Sequence, residues 1–195
     1  MSDLEEKDTK RNVPKLRFPG FTDPWEQRKL GDVAKRYDSK RVPVTASNRI
    51  PGSTPYYGAN GVQDWVEGFT HHGEFVLLAE DGAADYSDYP VWLINGLTWI
   101  NNHVHVISAK PQSTINEFLV YALKHADIGK SLVGGTRSKL TAKDMMKLRI
   151  SLPSLSEQRF IGAFFHDFDD LITLRQRELD HVKLLKKSLL QQMFV

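Results

Sequence analysis

Cysteine is missing from this 195-residue chain, and so is any long apolar segment. Without a thiol the protein has no disulfide framework and no thiolate metal site, and an intracellular setting is expected. No run of about 18 uncharged apolar residues occurs, so no membrane span is predicted. The opening MSDLEEKDTKRNVPK is polar and charged, which does not fit a secretory signal. Together these absences predict a cytoplasmic globular protein.

Positive charge is absent from a long central stretch, since residues 50–109 contain no Lys or Arg. Seven Lys and Arg residues against two Asp occur in 28–49, and six against one Asp occur in 130–149. Two basic segments on either side of an acidic one indicate a polarised surface, which suits nucleic acid. A charge run is more often a solvated face, so this feature alone leaves both readings open.

The usual catalytic and cofactor motifs are also missing. The segment Gly129–Ser131 resembles part of a phosphate loop, but Lys124 stands where the first glycine is required, and the segment follows a predicted helix. No G-x-G-x-x-G motif is present, and no Asn/Asp-Pro-Pro-aromatic loop that would hold an extruded base. We therefore predict no catalytic residue and no cofactor bound by this chain.

Histidines and acids offer two weaker possibilities. His103 and His105 would point the same way on a strand, but no third ligand stands at a metal-site spacing, so no metal site is predicted. Glu80, Asp81 and Asp85 could hold Mg²⁺ for phosphodiester cleavage, although the lysine common in such sites is missing beside them. A turn after FVLLA explains the same acids, and a Mg²⁺-dependent nuclease is kept as the alternative.

Turn and strand signals dominate residues 50–110, where runs such as GEFVLLA and NHVHVISA have strand length. Asn-Gly pairs are strong turn signals because glycine accepts the positive φ that such turns need. These pairs are Asn60-Gly61 and Asn95-Gly96. Residues 114–126 then show helical periodicity with Thr114 as the N-cap, and a strand is predicted over 147–152.

From Ser156 onward the chain has no proline and a single glycine, and its apolar residues alternate in steps of four and three. This pattern predicts one helix over about 156–194, roughly 55 Å long, whose apolar stripe needs a partner helix. Arg175 and Lys186 fill the two slots that interrupt the stripe. The predicted interface residues are Ile161, Phe165, Phe168, Ile172, Leu179, Val182, Leu189 and Met193.

Recognition chemistry is concentrated in two loops. The segment GGTRSK offers backbone N–H groups, hydroxyls and two cations, which suits a phosphate backbone. We therefore expect Arg137, Ser138 and Lys139 to contact DNA phosphates. Tyr57 and Asn60 stand near a tight turn and supply the aromatic and amide groups that stack on bases or read their edges.

The order of these segments resembles the specificity subunit of Type I restriction–modification enzymes from end to end. The similar segments of the recognition region are VPKLRFPGFTDPWEQRKLGDV, YYGANGVQDWVEGF, EFVLLAEDGA, NNHVHV and GTRSKLTAKDM. The closing LPSLSEQRFIGAFFHDFDDLITLRQRELDHVKLLKKSLLQQMF is similar to that family's helical spacer.

The resemblance implies that this chain binds double-stranded DNA and holds a methyltransferase subunit and an ATP-driven restriction subunit. Those partners would bind S-adenosylmethionine and ATP. A usual family member has two recognition domains and two long helices that pack antiparallel. This chain has one of each, so it resembles half a subunit that pairs with a second copy of itself or with another half.

The predicted fold class is α+β, with a strand-rich target-recognition domain over 1–153 and a coiled-coil-forming helical region over 154–195. We assign base reading to Lys40, Arg41, Tyr57 and Asn60. Beside the nuclease, a purely structural dimerisation module is the remaining alternative, and it predicts no salt-sensitive binding to DNA.

Overall fold

The computed structural model describes residues 12–85, 88–134 and 138–194. Sheets come first within these ranges and one long helix follows them, which confirms the predicted α+β class. The strands are β1 Glu26–Lys29, β2 Ala34–Arg36, β3 Pro51–Gly58, β4 Gly61–Val66, β5 His71–His72, β6 Phe75–Ala79, β7 Val91–Ile94, β8 Leu97–Ile100, β9 Val104–Ala109 and β10 Arg149–Leu152. The helices are α1 Leu30–Val33, α2 Asn116–His125, α3 Ala142–Met145 and α4 Leu155–Met193.

The central sheet has the antiparallel order β2-β9-β6-β7. Its strand β6 is buried on both faces, because Val76 and Leu78 pack in the core beneath α2 while Leu77 packs in a second core on the other face. A strand covered on both sides is apolar at successive positions instead of alternating. This explains the run FVLLA.

The second sheet has the order β4-β3-β8-β5, with β3 parallel to β8. Both predicted Asn-Gly turns are confirmed, since Gly61 joins β3 to β4 with a φ of 104° and Gly96 joins β7 to β8 with a φ of 97°. Only glycine adopts these values without strain. The turn at Gly96 carries the chain from the central sheet to the second sheet.

The N-terminus of α2 differs from the prediction. Thr114 is not the N-cap, because the helix begins at Asn116 and Ile115 occupies the capping position without a side-chain bond. The hydroxyl of Thr114 is buried and donates instead to Oε1 of Gln158, at 2.8 Å. The Thr114 hydroxyl, which could have capped the helix locally, is thus used in a tertiary hydrogen bond to Gln158.

The long helix α4 is 39 residues, or about 58 Å at 1.5 Å per residue. Its N-cap is Ser154, whose Oγ accepts a hydrogen bond from the backbone N–H of Glu157 at 3.3 Å. The helix therefore begins one residue before the predicted start at Ser156. No helix in the described ranges combines the length and apolarity that crossing a membrane requires.

Two neighbouring side chains in the first turn of α4 fix the helix to the domain. Gln158 is fully buried, and its Nε2 donates to the backbone oxygens of Ser113 at 3.1 Å and Pro153 at 3.0 Å. Glu157 accepts two bonds of 2.7 Å from the guanidinium of Arg17. The side chains of Arg17 and Glu157 are only 11% and 1% exposed, so this bidentate pair is shielded from water.

Aromatic rings extend this attachment along the helix. Phe18 packs against Phe160 and Phe164 with ring centroids 5.8 and 5.5 Å apart. On the α2 side, the ring of Tyr121 lies 5.2 Å from that of Phe165. Residues 171–187 are all exposed, so the second half of α4 projects away from the domain.

We expect Gln158→Ala to lower the free energy of unfolding by about 3 kcal/mol, because the buried groups that Gln158 satisfies would lose their partners and a cavity would form. Chemical denaturation measures this change. Gln176→Ala is the matched control on the same helix, since Gln176 is exposed and bonds only Asp180 among the described residues. Its cost should stay below about 0.5 kcal/mol. Equal losses in the two variants would contradict the anchoring role.

Candidate nucleic-acid interface

The fold brings the two basic segments of the sequence together on one carboxylate. Glu80, directly after β6, accepts a bond of 2.6 Å from Nη1 of Arg41 on one oxygen. Its other oxygen lies 2.5 Å from Nζ of Lys139. Arg41 belongs to the basic segment 28–49 and Lys139 to the segment 130–149. The acidic middle of the chain therefore joins the two cationic loops.

A buried histidine contacts residues next to both of these cationic loops. The ring of His105 is fully buried, with Nδ1 2.8 Å from Oδ2 of Asp38 and Nε2 2.8 Å from the carbonyl oxygen of Leu140. A carbonyl can only accept, so Nε2 is the donor of this bond. The N–H of Leu140 donates to the carbonyl of Glu80 at 2.7 Å. The strand residue His105 thereby contacts both the turn at Asp38 and Leu140, which follows the loop 133–139, here called the basic loop.

The basic loop is closed at its base by a pair of backbone bonds between Val133 and Lys139, of 2.9 and 2.8 Å. Ser138 donates from Oγ to the carbonyl of Gly134 at 3.3 Å. Arg137, predicted to contact phosphate, lies outside the described residues. The loop thus has a fixed base, at which two of the predicted phosphate contacts, Ser138 and Lys139, lie.

Burial and hydrogen bonding act in opposite directions on the pKa values of the two acids of this network, Glu80 and Asp38. Burial tends to raise the pKa of Glu80, but the hydrogen bonds from Lys139 and Arg41 outweigh it, and the pKa is lowered. Burial likewise tends to raise the pKa of Asp38, and the bonds from His105 and from the N–H of Val106 reverse the sign. Both carboxyl groups are therefore held in the charged form.

The predicted base-reading residues occupy different environments. Lys40 is exposed at the end of the 3₁₀ turn Asp38–Lys40, while the side chain of Arg41 is only 16% exposed and bound to Glu80. Tyr57 packs against the second core, and burial raises its pKa. The exposed Asn60 uses its amide to hold the next loop, donating to Gly82 and accepting from Ala84. Base reading by these four residues stays a prediction.

Of the three acids of the alternative nuclease site, Glu80 is bound by Arg41 and Lys139, Asp81 pairs with His103, and Asp85 accepts a hydrogen bond from the backbone N–H of Asp88. The acid cluster that the described residues form is a different one. Asp38, Glu80 and His105 have ligand-type atoms within 4.8 Å of one another. The lysine that is missing beside the acids in the sequence is supplied by the fold, since Lys139 contacts Glu80. Arg41 and Lys139 together occupy both oxygens of Glu80. The cluster is therefore an ion-pair network, which leaves little charge for a divalent ion.

Sequence reasoning missed Asp38 and His105 as members of this network. They lie 67 residues apart, and Asp38 lies 42 residues before Glu80 in the chain. His103 and His105 were grouped as residues on one strand face, but His103 precedes β9, is exposed and pairs with Asp81 at 2.5 Å. One available signal was Glu80 itself, because an acid that follows a buried strand needs a partner.

One known protein family matches this chain over most of its length. The family model described as the Type I restriction modification DNA specificity domain matches residues 22–184. A putative type I restriction enzyme specificity subunit of Haemophilus influenzae is 44% identical over 133 residues, which is 68% of this chain and 34% of that protein. The type I restriction enzyme EcoprrI specificity subunit of Escherichia coli is 25% identical over 151 residues, covering 75% of this chain and 36% of that protein.

Solved structures share the fold. The S subunit of a Type I restriction–modification system from M. genitalium superimposes with a TM-score of 0.67 at 17% identity, covering 81% of this chain and 42% of that one. The HsdS subunit of Thermoanaerobacter tengcongensis gives 0.53 at 18% identity, covering 89% and 46%. This chain spans about a third of the length of the two curated relatives, at 34% and 36%.

We predict that Glu80→Gln lowers the protection of the Lys139 and Leu140 amides from hydrogen exchange at least about tenfold, because the loop base loses its charged anchor. The folded-state pKa of Glu80 is lowered. Its contribution is therefore complete above its ordinary pKa of about 4 and is lost as pH falls through the lowered value. The wild-type amides should lose protection at acid pH, and the variant should show less of this dependence.

Glu67→Gln is the matched control for this measurement. Glu67 is an exposed acid that, like Glu80, directly follows a strand, and it makes no ion pair among the residues that the structure describes. Its replacement should leave the exchange of the Lys139 and Leu140 amides unchanged. If Glu80→Gln also leaves them unchanged at neutral pH, Glu80 does not hold the loop.

Proposed function

Because this chain belongs to the family of Type I restriction modification DNA specificity domains, we propose that it recognises a specific DNA sequence and performs no catalysis itself. The observation that carries this proposal is the convergence of the two basic segments on Glu80. A loop held at a fixed base and flanked by cations suits the sugar–phosphate backbone, which sets the register of a protein on a duplex. The proposed backbone contacts are Arg137, Ser138 and Lys139, and the proposed base-reading residues are Lys40, Arg41, Tyr57 and Asn60.

We also propose that α4 assembles the complex. Its apolar stripe is exposed along the projecting half, with Ile172 at 64% and Val182 at 59%. Further exposed apolar residues flank this stripe on one side, namely Phe164, Leu171 and Leu185. An apolar face this wide is typical of a helix in a bundle, whereas a two-helix seam needs only the central stripe. One partner helix would come from a second copy, and others from a methyltransferase subunit.

In the proposed complex the methyltransferase subunit and the restriction subunit carry the chemistry. They would bind S-adenosylmethionine and ATP, while this chain would recognise the target sequence on the DNA. Two copies joined through antiparallel α4 helices would present two recognition domains related by a two-fold axis. A two-fold protein reads a two-fold site, so the target would be an interrupted palindrome.

Replacing Arg137 and Lys139 by alanine should weaken binding to every DNA sequence about equally. Each lost phosphate contact should reduce the slope of log K against log salt concentration by about one unit. Fluorescence anisotropy over a salt series measures this slope. Lys187→Ala, an exposed cation on the projecting part of α4, is the control and should leave the slope unchanged. An unchanged slope with an altered sequence preference would mean that Arg137 and Lys139 read bases.

Selection of bound duplexes from a random pool should return two identical inverted half-sites separated by a spacer of fixed length and free sequence. One added base pair shifts a half-site by about 3.4 Å and rotates it by roughly 35°, so affinity should fall towards that of a single half-site. A continuous asymmetric motif, or equal binding at several spacer lengths, would contradict the symmetric arrangement.

A further inference from the structure

An apolar groove of about 590 Å³ lies at the base of α4. We call it the basal groove; its apolar walls include Trp25, Phe118, Tyr121, Ile161 and Phe165. Ile161 and Phe165 are the first two positions of the apolar stripe, and here the stripe faces the end of α2. The groove therefore stands at the point where a helix packed along α4 would meet the recognition domain.

The stripe on α4 has a symmetry that fixes how two copies can pair. Its ten slots, including Arg175 and Lys186, are spaced symmetrically about residue 177. In an antiparallel pair centred there, Ile172 lies opposite Val182 of the second copy, and every slot of one helix has a counterpart. The same register places Ile161 opposite Met193 of the second copy.

Charges beside the stripe favour this register over its neighbours. Asp169 flanks the stripe next to Phe168, and in this register it faces Lys183 of the second copy. A shift by one heptad in one direction places Arg175 against Lys186. The opposite shift leaves Met193 uncovered. The centred register covers the whole stripe and sets two Asp169–Lys183 pairs against one pair of facing Glu178 side chains, each of which is already bound by Arg175 of its own helix.

In the centred register the end of one α4 arrives at the basal groove of the other copy. Met193 and Phe194 are 75% and 72% exposed, so both side chains are available. Lys124 and Arg149 also line the groove, as does Asp127, which pairs with Lys130. Cationic side chains are favourable beside the C-terminal end of a helix, where carbonyl groups lack partners and the helix dipole is negative.

We propose that the basal groove is the docking site for Met193 and Phe194 of a second copy of this chain. The proposal rests on the proposed antiparallel dimer and adds its register and its contact with the recognition domain. Each domain would then hold the far end of its partner's helix as well as the base of its own. The two recognition domains are fixed relative to each other at both ends of the helix pair.

The absence of cysteine allows a direct test by disulfide cross-linking of purified protein without DNA. Gln176 lies beside the two-fold axis of the centred register, so Gln176→Cys should form a covalent dimer with itself on mild oxidation. The double variant Ala122→Cys/Met193→Cys, with one thiol in the groove and one on the incoming helix, should also cross-link. Ala122→Cys/Leu174→Cys is the matched control, because Leu174 lies outside the seam, and it should stay monomeric on a denaturing gel.

A second measurement avoids cysteines altogether. Met193→Ala should raise the dimer dissociation constant in sedimentation equilibrium at least about tenfold, whereas Leu174→Ala should not. Cross-linking of Gln176→Cys without cross-linking of the Ala122/Met193 pair would overturn groove docking and leave the dimer intact. A wild-type monomer at micromolar concentration, with no cross-linking in any variant, would overturn the dimer as well. DNA binding in the absence of dimers would still distinguish that result from failure of recognition.

Discussion

The direction in which α4 leaves the recognition domain depends on the buried ion pair between Arg17 and Glu157. A carboxylate that is 1% exposed is stable only with a close cation, and Arg17 provides a bidentate one. The pair ties the segment before β1 to the first turn of the helix. Phe18 and Phe21 then pack against Phe160, which extends the contact along α4. The hydrogen bonds of Gln158 prevent rotation of the helix about that contact.

A rigid joint would give the proposed measurement of distance along DNA a physical basis. A helix of about 58 Å transmits an angular error at its base into a displacement of many ångströms at its far end. In the proposed dimer each copy contributes one such joint. The distance between the two recognition domains would therefore depend on both joints. Within the domain, Glu80, Asp38 and His105 hold the cationic loops in one arrangement. Both networks use buried charge to fix geometry, with cations and anions closely matched.

Sequence patterns between near neighbours in the chain predicted the long helix and the tight turns, because these depend on interactions between residues close in sequence. The apolar stripe indicated the long helix, and the Asn-Gly pairs indicated turns whose glycines have positive φ. The polar networks could not be predicted, since each joins residues far apart in the chain: Arg17 and Glu157 are separated by 140 positions. Thr114 illustrates the reason. Its sequence context favours an N-cap, but only the fold brings Gln158 within reach of its hydroxyl.

The proposed role of the fixed joint at the base of α4 is to set the separation of two DNA half-sites. The most direct measurement is selection of bound duplexes with Glu157→Gln, which removes the charge that orders Arg17 and keeps the size of the side chain. This variant should select the same half-site sequences with a broadened distribution of spacer lengths. A single spacer length, identical to that of the wild type and bound as tightly, would contradict it.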